Sequence, residues 1–251
     1  MAASNLINNS RVDTLLPDNF CKMKIAPQKI CCDYTVSLGE ECRPAHYLRI
    51  FRLRLCSNPL DWMMEYSLAT ALHLLQTDFL HFFKNVNDIS AIRDNGSFSN
   101  RFVRDVDNGV VSMHDFPKTE PLQDYLPKFY QIMQRRVKRM RAAIINSNRV
   151  LFICNRQTEQ QELKASLLAL QKYYAVQAVL VNIRNSEKEY TLRENITEDA
   201  LFVEYGFSDI HPNGNNPENL DFWQGNVPVW HKIMRAINLS EKNLGIVNTF
   251  N

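Results

Sequence analysis

Two mostly apolar segments do most to limit the folds that this chain can adopt. They are Arg149–Cys154, RVLFIC, and Ala178–Ile183, AVLVNI. Runs of this kind are typical of strands that are buried on both faces of a parallel sheet. A helical pattern over Glu159–Tyr173 lies between them, and two parallel strands need such a crossover connection. These segments therefore predict a strand-helix-strand unit with a parallel sheet.

The rest of the chain extends this unit into an α/β fold. We expect a mostly parallel central sheet with helices on both faces, which is a three-layer, Rossmann-like arrangement. A long helix is predicted from Leu122 to Asn146, and a closing helix from Val229 to Leu239. We expect residues 1–30 to form a polar leader and residues 31–251 to form a single α/β domain. The strands of the sheet are predicted at about residues 34–37, 109–113, 149–154, 178–183 and 200–205.

Composition and charge argue against several kinds of partner. Of the 251 residues, 45% are hydrophobic and 22% are charged, which is ordinary for a globular protein. No apolar run approaches the roughly 18 residues that a membrane-spanning helix needs. The formal net charge of +2 does not by itself indicate a polyanionic partner. The basic run 135–141 has no interleaved aromatic residues on which bases could stack. We therefore expect neither a membrane nor a nucleic-acid partner.

The N-terminus and the cysteines bear on the compartment and on metal binding. The first residues lack the basic start and apolar centre of a secretory signal, so we expect a cytoplasmic protein with free thiols. No C-x₂-C pair or histidine pair has the spacing of metal ligands, so we expect no metal site. Neither a G-x-G-x-x-G nor a Walker pattern occurs, and no cofactor is expected. The six cysteines are Cys21, Cys31, Cys32, Cys42, Cys56 and Cys154.

The stretch Tyr34–Trp62 is the most informative about chemistry. Its aromatic and β-branched start, Tyr34–Val36, predicts a strand, and Gly39 marks a turn that leads into a helix near Cys42. The first amides of a helix and the positive end of its dipole favour an anion. A cysteine at this point is expected to have a lowered pKa and to be nucleophilic at neutral pH. The two glutamates that precede it act in the opposite direction.

Three potentially reactive side chains follow three of the predicted strands. Cys42 follows the first strand, His114 the second and Asn155 the third. Because the carboxyl ends of parallel strands meet at one edge of a sheet, we expect Cys42 and His114 to face each other. A thiol and an imidazole are the nucleophile and base of a cysteine hydrolase, which also needs a group that orients the imidazole. That group could be Asp115, Asp61 or Asn155.

The same residues also have ordinary structural interpretations. Cys42 could be a small buried residue beneath the first helix, and His114 could be a structural histidine. Asp61 could cap the helix that follows it. The turn would then suit a non-catalytic module that binds an anionic or sugar-like ligand.

Four residues are predicted to line the ligand site under either interpretation. They are Ser37, Gly39, Asn155 and Trp62. Gly39 could adopt positive φ and let a ligand approach the backbone. Trp62 follows a turn, where a large aromatic ring can cover the edge of a cleft.

The motifs around Cys42 resemble those of a family described as papain-like cysteine peptidases. SLGEEC at 37–42 is similar to the family pattern S-L-G-x-x-C, and SNPLDW at 57–62 is similar to S-x-P-F-D-W. Leu60 stands where that pattern has phenylalanine. The resemblance spans about residues 33–230 and implies a thiol-dependent hydrolase or transferase whose substrate is unknown.

Two later motifs strengthen the resemblance. His114-Asp115-Phe116 is similar to the family's H-D-F motif, and Trp223, Gly225 and Trp230 are similar to its C-terminal tryptophan box. The family name implies a papain fold, in which the catalytic cysteine heads a helix packed on an antiparallel barrel. The parallel sheet predicted from the residues differs from that fold.

Overall fold

The structure is a computed structural model that describes residues 25–94, 96, 98–214 and 220–241. In chain order the strands are β1 (Ile30–Cys32), β2 (Tyr34–Ser37), β3 (Met63–Met64), β4 (Val86–Asp88), β5 (Val103–Asp105), β6 (Val111–Ser112), β7 (Arg149–Cys154), β8 (Gln177–Asn185), β9 (Tyr190–Thr197), β10 (Ala200–Phe207) and β11 (Ile237–Leu239). The helices are α1 (Arg43–Ile50), α2 (Leu68–Gln76), α3 (Ser90–Arg93), α4 (Leu122–Ile145), α5 (Gln160–Tyr174) and α6 (Val227–Met234), with a 3-10 turn at Phe222–Gln224.

The predicted leader, residues 1–30, lies mostly outside the described residues. Its last part is described, and Ile25 and Ile30 are both buried. They belong to the same apolar cluster as Leu151 and Val181 in the main sheet.

The main sheet has five strands in the order β2-β7-β8-β10-β9. β2 pairs with β7, β7 with β8 and β8 with β10, all in parallel. β9 lies antiparallel to β10 at the edge. The predicted α/β class with a mostly parallel main sheet is therefore confirmed.

Side chains of the central strands alternate between two apolar clusters. Phe152 and Leu180 belong to one cluster, to which α2, α4 and α5 also contribute. Leu151 and Val181 belong to the other, together with residues of α1 and α6. This alternation follows from the two-residue period of a strand, and it explains why both runs are apolar at nearly every position.

The predicted strand at 109–113 does not join the main sheet, and that part of the prediction is wrong. Its ordered part, β6, belongs to a four-stranded antiparallel sheet in the order β3-β6-β5-β4. The cause is a tight turn at Asp107-Asn108-Gly109, in which Gly109 has a φ of 72°. An Asn-Gly turn is a strong hairpin signal, and here it folds β6 back against β5.

The observed helices agree only in part with the helices that the sequence predicts. α4 agrees closely with the helix predicted from Leu122, whereas the closing helix ends at Met234. The chain then forms β11, which pairs in parallel with β1 and satisfies its edge amides and carbonyls. No helix in the described ranges has the length and apolar content to cross a bilayer.

Gly206 in β10 lies directly beneath the ring of Tyr190 in β9. A Cβ at Gly206 would lie 2.0 Å from Tyr190 Cε1, and the ring is held in place because its hydroxyl donates to Glu204 Oε1 at 2.7 Å. We predict that Gly206→Ala lowers the free energy of unfolding by about 1–3 kcal/mol, as measured by urea denaturation. In a Tyr190→Ala background the same change should cost less than about 0.5 kcal/mol, and equal costs in both backgrounds would contradict this packing.

Candidate functional site

Cys42 lies at the beginning of α1, after a turn that leaves the end of β2. It is the N-cap residue of α1, and its carbonyl accepts a hydrogen bond from the His46 amide at 2.9 Å. Gly39 does not have positive φ, in contrast to the prediction. Its small size is needed instead, because a Cβ would lie 2.7 Å from Pro44 Cγ and 2.9 Å from Asn155 Oδ1.

The structure brings Cys42 and His114 together. Cys42 Sγ lies 3.6 Å from His114 Nε2, which is a hydrogen-bonding distance for sulfur. His114 reaches this position from the antiparallel sheet, where Met63 of β3 pairs with Ser112 of β6. Trp62, just before β3, packs its ring edge-to-face on His114 with 5.5 Å between ring centroids. The two predicted residues therefore meet, although they come from different sheets.

The environment of the pair does not favour a resting thiolate. The pKa of the Cys42 thiol is raised to about 12, mainly by burial and then by the Glu41 carboxylate, while the cysteine's own amide acts to lower it. The surrounding protein also lowers the pKa of His114 below its ordinary value of 6.5, and the negative charge of Asp115 partly offsets this. The expected lowering of the Cys42 pKa is therefore wrong, because burial and Glu41 outweigh the effect of the cysteine's own amide.

Asp115 is held away from the imidazole by two other partners. Its Oδ2 accepts from Ser112 Oγ at 2.9 Å, and its Oδ1 lies 3.2 Å from Arg136 Nη1. It follows His114 in sequence but makes no hydrogen bond to the ring.

Asp61 and Asn155 are also committed to other groups. Asp61 is fully buried and accepts from Arg54 Nη1 at 3.0 Å and from the Asn58 amide at 2.9 Å. Asn155 Nδ2 donates to Glu41 Oε1 at 2.5 Å. None of the three predicted orienting residues therefore bonds to His114 in the described part of the chain.

The alternative role of Asp61 as a helix cap is not observed either. The helix that follows, α2, begins at Leu68, and Ser67 is its N-cap. Ser67 Oγ accepts from the Thr70 amide at 3.0 Å.

The turn before α1 offers free hydrogen-bond donors. Within the described residues, the amides of Gly39, Glu40, Glu41 and Arg43 donate to no other backbone or side-chain group. Unpaired amides at the start of a helix can stabilise a negative charge. Ser37, by contrast, is 1% exposed within β2, so its predicted contact with a ligand is not supported.

Arg156 is a site residue that the sequence analysis missed. It is 1% exposed and follows the end of β7. Its Nε donates to the Leu38 carbonyl at 2.9 Å, and its Nη1 donates to the Tyr66 carbonyl at 2.8 Å and lies 3.3 Å from Glu40 Oε2. The role of Arg156 depends on tertiary contacts that the sequence does not reveal. The only sequence signal for it is the Asn-Arg pair that follows the apolar strand β7.

Arg43, which directly follows Cys42, links the start of α1 to the C-terminal tryptophan motif. Its Nη1 pairs with Asp209 Oδ2 at 2.5 Å, and its Nε donates to the Trp223 carbonyl at 2.7 Å. Asp209 Oδ1 accepts from Trp230 Nε1 at 3.0 Å. Gly225 has a φ of 65°, and a Cβ there would lie 2.3 Å from Asp209 Oδ1. This motif therefore secures the start of α1.

A cavity of about 520 Å³ adjoins the turn that carries Cys42. Its walls are rich in carboxylates, and neither Cys42 nor His114 is among the residues that line it. Among the described residues no group of three or more histidine, cysteine or acidic side chains could hold a metal ion. The residues that line the cavity are Glu40, Glu41, Met64, Glu65, Tyr66 and Ser67.

Comparison with known proteins gives one match. Residues 33–185, more than half of the chain, match the model of a family described as "Putative papain-like cysteine peptidase". No curated protein and no solved structure matched the chain. The three-layer, Rossmann-like description of the fold accordingly stays a prediction.

We predict that Glu41→Gln lowers the pKa of the Cys42 thiol, because it removes a negative charge that disfavours the thiolate. Alkylation of Cys42 by iodoacetamide at pH 8–9, followed by peptide mass spectrometry, should therefore become faster. The exposed Cys31 provides an internal reference. Glu65→Gln removes a carboxylate from the same cavity and should leave the Cys42 rate unchanged, whereas equal effects of both variants would refute a specific role for Glu41.

Proposed function

Because the chain belongs to that papain-like cysteine peptidase family, we propose that it is a cysteine hydrolase with Cys42 as nucleophile and His114 as general base. The observation that carries this proposal is the 3.6 Å distance between Cys42 Sγ and His114 Nε2. A thiol within reach of an imidazole is the minimum arrangement for nucleophilic catalysis by cysteine.

The raised thiol pKa and the lowered imidazole pKa determine how the first step proceeds. At pH 7 the resting pair is a neutral thiol and a neutral imidazole. In the tautomer that carries its proton on Nδ1, the Nε2 atom that faces the thiol is unprotonated and can act as the base. As Sγ attacks a carbonyl carbon, the thiol proton moves to Nε2, the carbon–sulfur bond forms and the carbonyl electron pair moves to oxygen.

The negative oxygen formed in this step needs hydrogen-bond donors. The unpaired amides of Gly39, Glu40, Glu41 and Arg43 are the candidates, since they surround the start of α1 and have no other acceptor in the described chain. Fixed amides of this kind stabilise the charge that develops in acyl transfer.

The remaining steps return the enzyme to its starting state. The tetrahedral intermediate collapses, His114 donates its proton from Nε2 to the leaving group, and a thioester on Cys42 remains. Water then attacks the thioester while His114 accepts its proton. The carbon–sulfur bond breaks, the carboxylic acid product leaves, and His114 returns the proton to Cys42 Sγ. A transferase would use another nucleophile in place of water.

A non-catalytic binding module is the alternative, and one observation favours it. The free amides of the turn could hold an anionic ligand without any reaction at the thiol. In that case substitution of Cys42 would leave ligand binding intact. The imidazole beside the thiol supports the hydrolase instead, because anion binding at the amides does not require it.

We predict that an epoxysuccinyl peptide probe labels Cys42 in the wild-type protein. Cys42→Ala should abolish the labelling, and His114→Ala should slow it by about 100-fold or more, because the thiol then lacks its base. The matched control is Cys56→Ala, which removes another partly buried thiol and should label like wild type. Peptide mass spectrometry identifies the labelled residue. Labelling that is absent at Cys42, or unaffected by His114→Ala, would exclude the hydrolase and favour the binding module.

A further inference from the structure

His114 has an aromatic neighbour where a carboxylate or amide was expected. Asp115, Asp61 and Asn155 each bond elsewhere, as described above. The Trp62 ring lies against the imidazole at 5.5 Å between centroids, with the two planes at 69°. This edge-to-face geometry is favourable for aromatic rings, and it restricts how the imidazole can turn.

The backbone of Trp62 is held in an unusual conformation. Its φ is 68°, which is rare for a bulky residue and persists only where the surroundings impose it. Two features impose it here. Met63, the next residue, pairs with Ser112 in the antiparallel sheet, and Asp61, the preceding residue, is fully buried. Trp62 is thus fixed from both sides at the place where it meets His114.

Two arginines fix the indole ring itself. Arg54 Cζ lies 5.8 Å from the ring centroid, and Arg49 Cζ lies 5.2 Å from it. Arg54 is in turn anchored by Asp61, whose Oδ2 it approaches at 3.0 Å. A guanidinium near an aromatic ring is attracted to the ring, and this attraction restrains it. Asp61, Arg54 and Trp62 therefore form a connected chain of contacts that ends on the imidazole.

We propose that Trp62 is the positioning residue of His114, and that Asp61 and Arg54 act through it. The proposal rests on the proposed function, in which His114 is the base. It explains why the Asp-Trp pair and the His-Asp-Phe motif occur together, since the pairing of β3 with β6 places one beside the other. It also gives Asp61 a part in the site without a direct bond to His114.

The proposal predicts a specific consequence for His114. His114 is exposed as a residue, and its imidazole packs against the indole, so removal of the indole should let the ring rotate and become more hydrated. Rotation moves Nε2 away from Cys42 Sγ, and hydration favours the charged imidazolium. The charged or titratable groups near the ring are Cys42 and Asp115, with Arg49 and Arg54 beyond the indole.

The experiment compares Trp62→Ala, Trp62→Leu and Trp62→Phe. The first readout is the pKa of His114, measured by NMR titration in a Cys42→Ala background, with the resonance assigned by comparison with His114→Gln. The second readout is the rate of Cys42 alkylation by iodoacetamide as a function of pH. Circular dichroism and thermal melting report whether each variant is folded.

We expect Trp62→Ala to raise the His114 pKa and to slow Cys42 alkylation at pH 8 about tenfold. Trp62→Phe should restore most of both values, because it keeps an aromatic ring, whereas Trp62→Leu should not. If Trp62→Ala does not fold, the His114 pKa and the Cys42 alkylation rate are compared between Trp62→Leu and Trp62→Phe alone. A residue that served only for packing would change the melting temperature and leave the His114 pKa as in the parent.

An unchanged His114 pKa in a folded Trp62→Leu variant would overturn the proposal. The proposed function can fail separately: if His114→Ala leaves Cys42 alkylation unaffected, His114 is not the base. The NMR titration in the Cys42→Ala background would still show whether Trp62 holds the ring, because it does not depend on catalysis.

Discussion

The buried guanidinium of Arg156 is the interaction on which the arrangement of the site depends. A charged group that is 1% exposed needs hydrogen-bond acceptors, and its Nε and Nη1 have them, whereas its Nη2 has no partner among the described residues. The Arg156 guanidinium donates to the carbonyls of Leu38 and Tyr66. Its backbone amide donates to Asn182 Oδ1 at 2.9 Å. These contacts join the turn after β2, the segment before α2 and the ends of β7 and β8. The turn that carries Cys42 therefore has a fixed position relative to the main sheet.

The site is assembled from two sheets that contribute different groups. The main sheet and α1 supply the thiol and the unpaired amides, and the antiparallel sheet supplies the imidazole and the indole. The pairing of β3 with β6 involves only Met63, Met64, Val111 and Ser112. Short strands contribute few hydrogen bonds, so the two halves are held together mainly by a shared apolar cluster, which contains Val103 and Phe116 from the antiparallel half and Val36 and Phe152 from the main sheet.

The sequence predicts the parts of this structure that depend on a regular pattern. The apolar runs of β7 and β8 and the strand-to-helix turn at Cys42 follow from residue type and order alone. β9 was missed because its segment, YTLRENIT, is half polar and lies at an edge of the sheet. Two-residue strands such as β6 have no periodicity to detect. The contact between Cys42 and His114 was predicted, but the strand before His114 was assigned to the main sheet instead of the antiparallel sheet. Strand pairing beyond a hairpin turn depends on tertiary contacts. The direction of the Cys42 pKa shift could not be foreseen, since it depends on how deeply the fold buries the thiol.

The raised pKa of Cys42 has a consequence for redox chemistry. Because burial and Glu41 raise its pKa, the Cys42 thiol is largely protonated at neutral pH. Oxidation by peroxide and exchange with disulfides both proceed through the thiolate, so they should be slow at this sulfur. A sulfur that is held as the protonated thiol is therefore protected from oxidation to sulfenic and sulfinic acid. Glu41, which helps to raise this pKa, therefore also helps to protect Cys42 from oxidation.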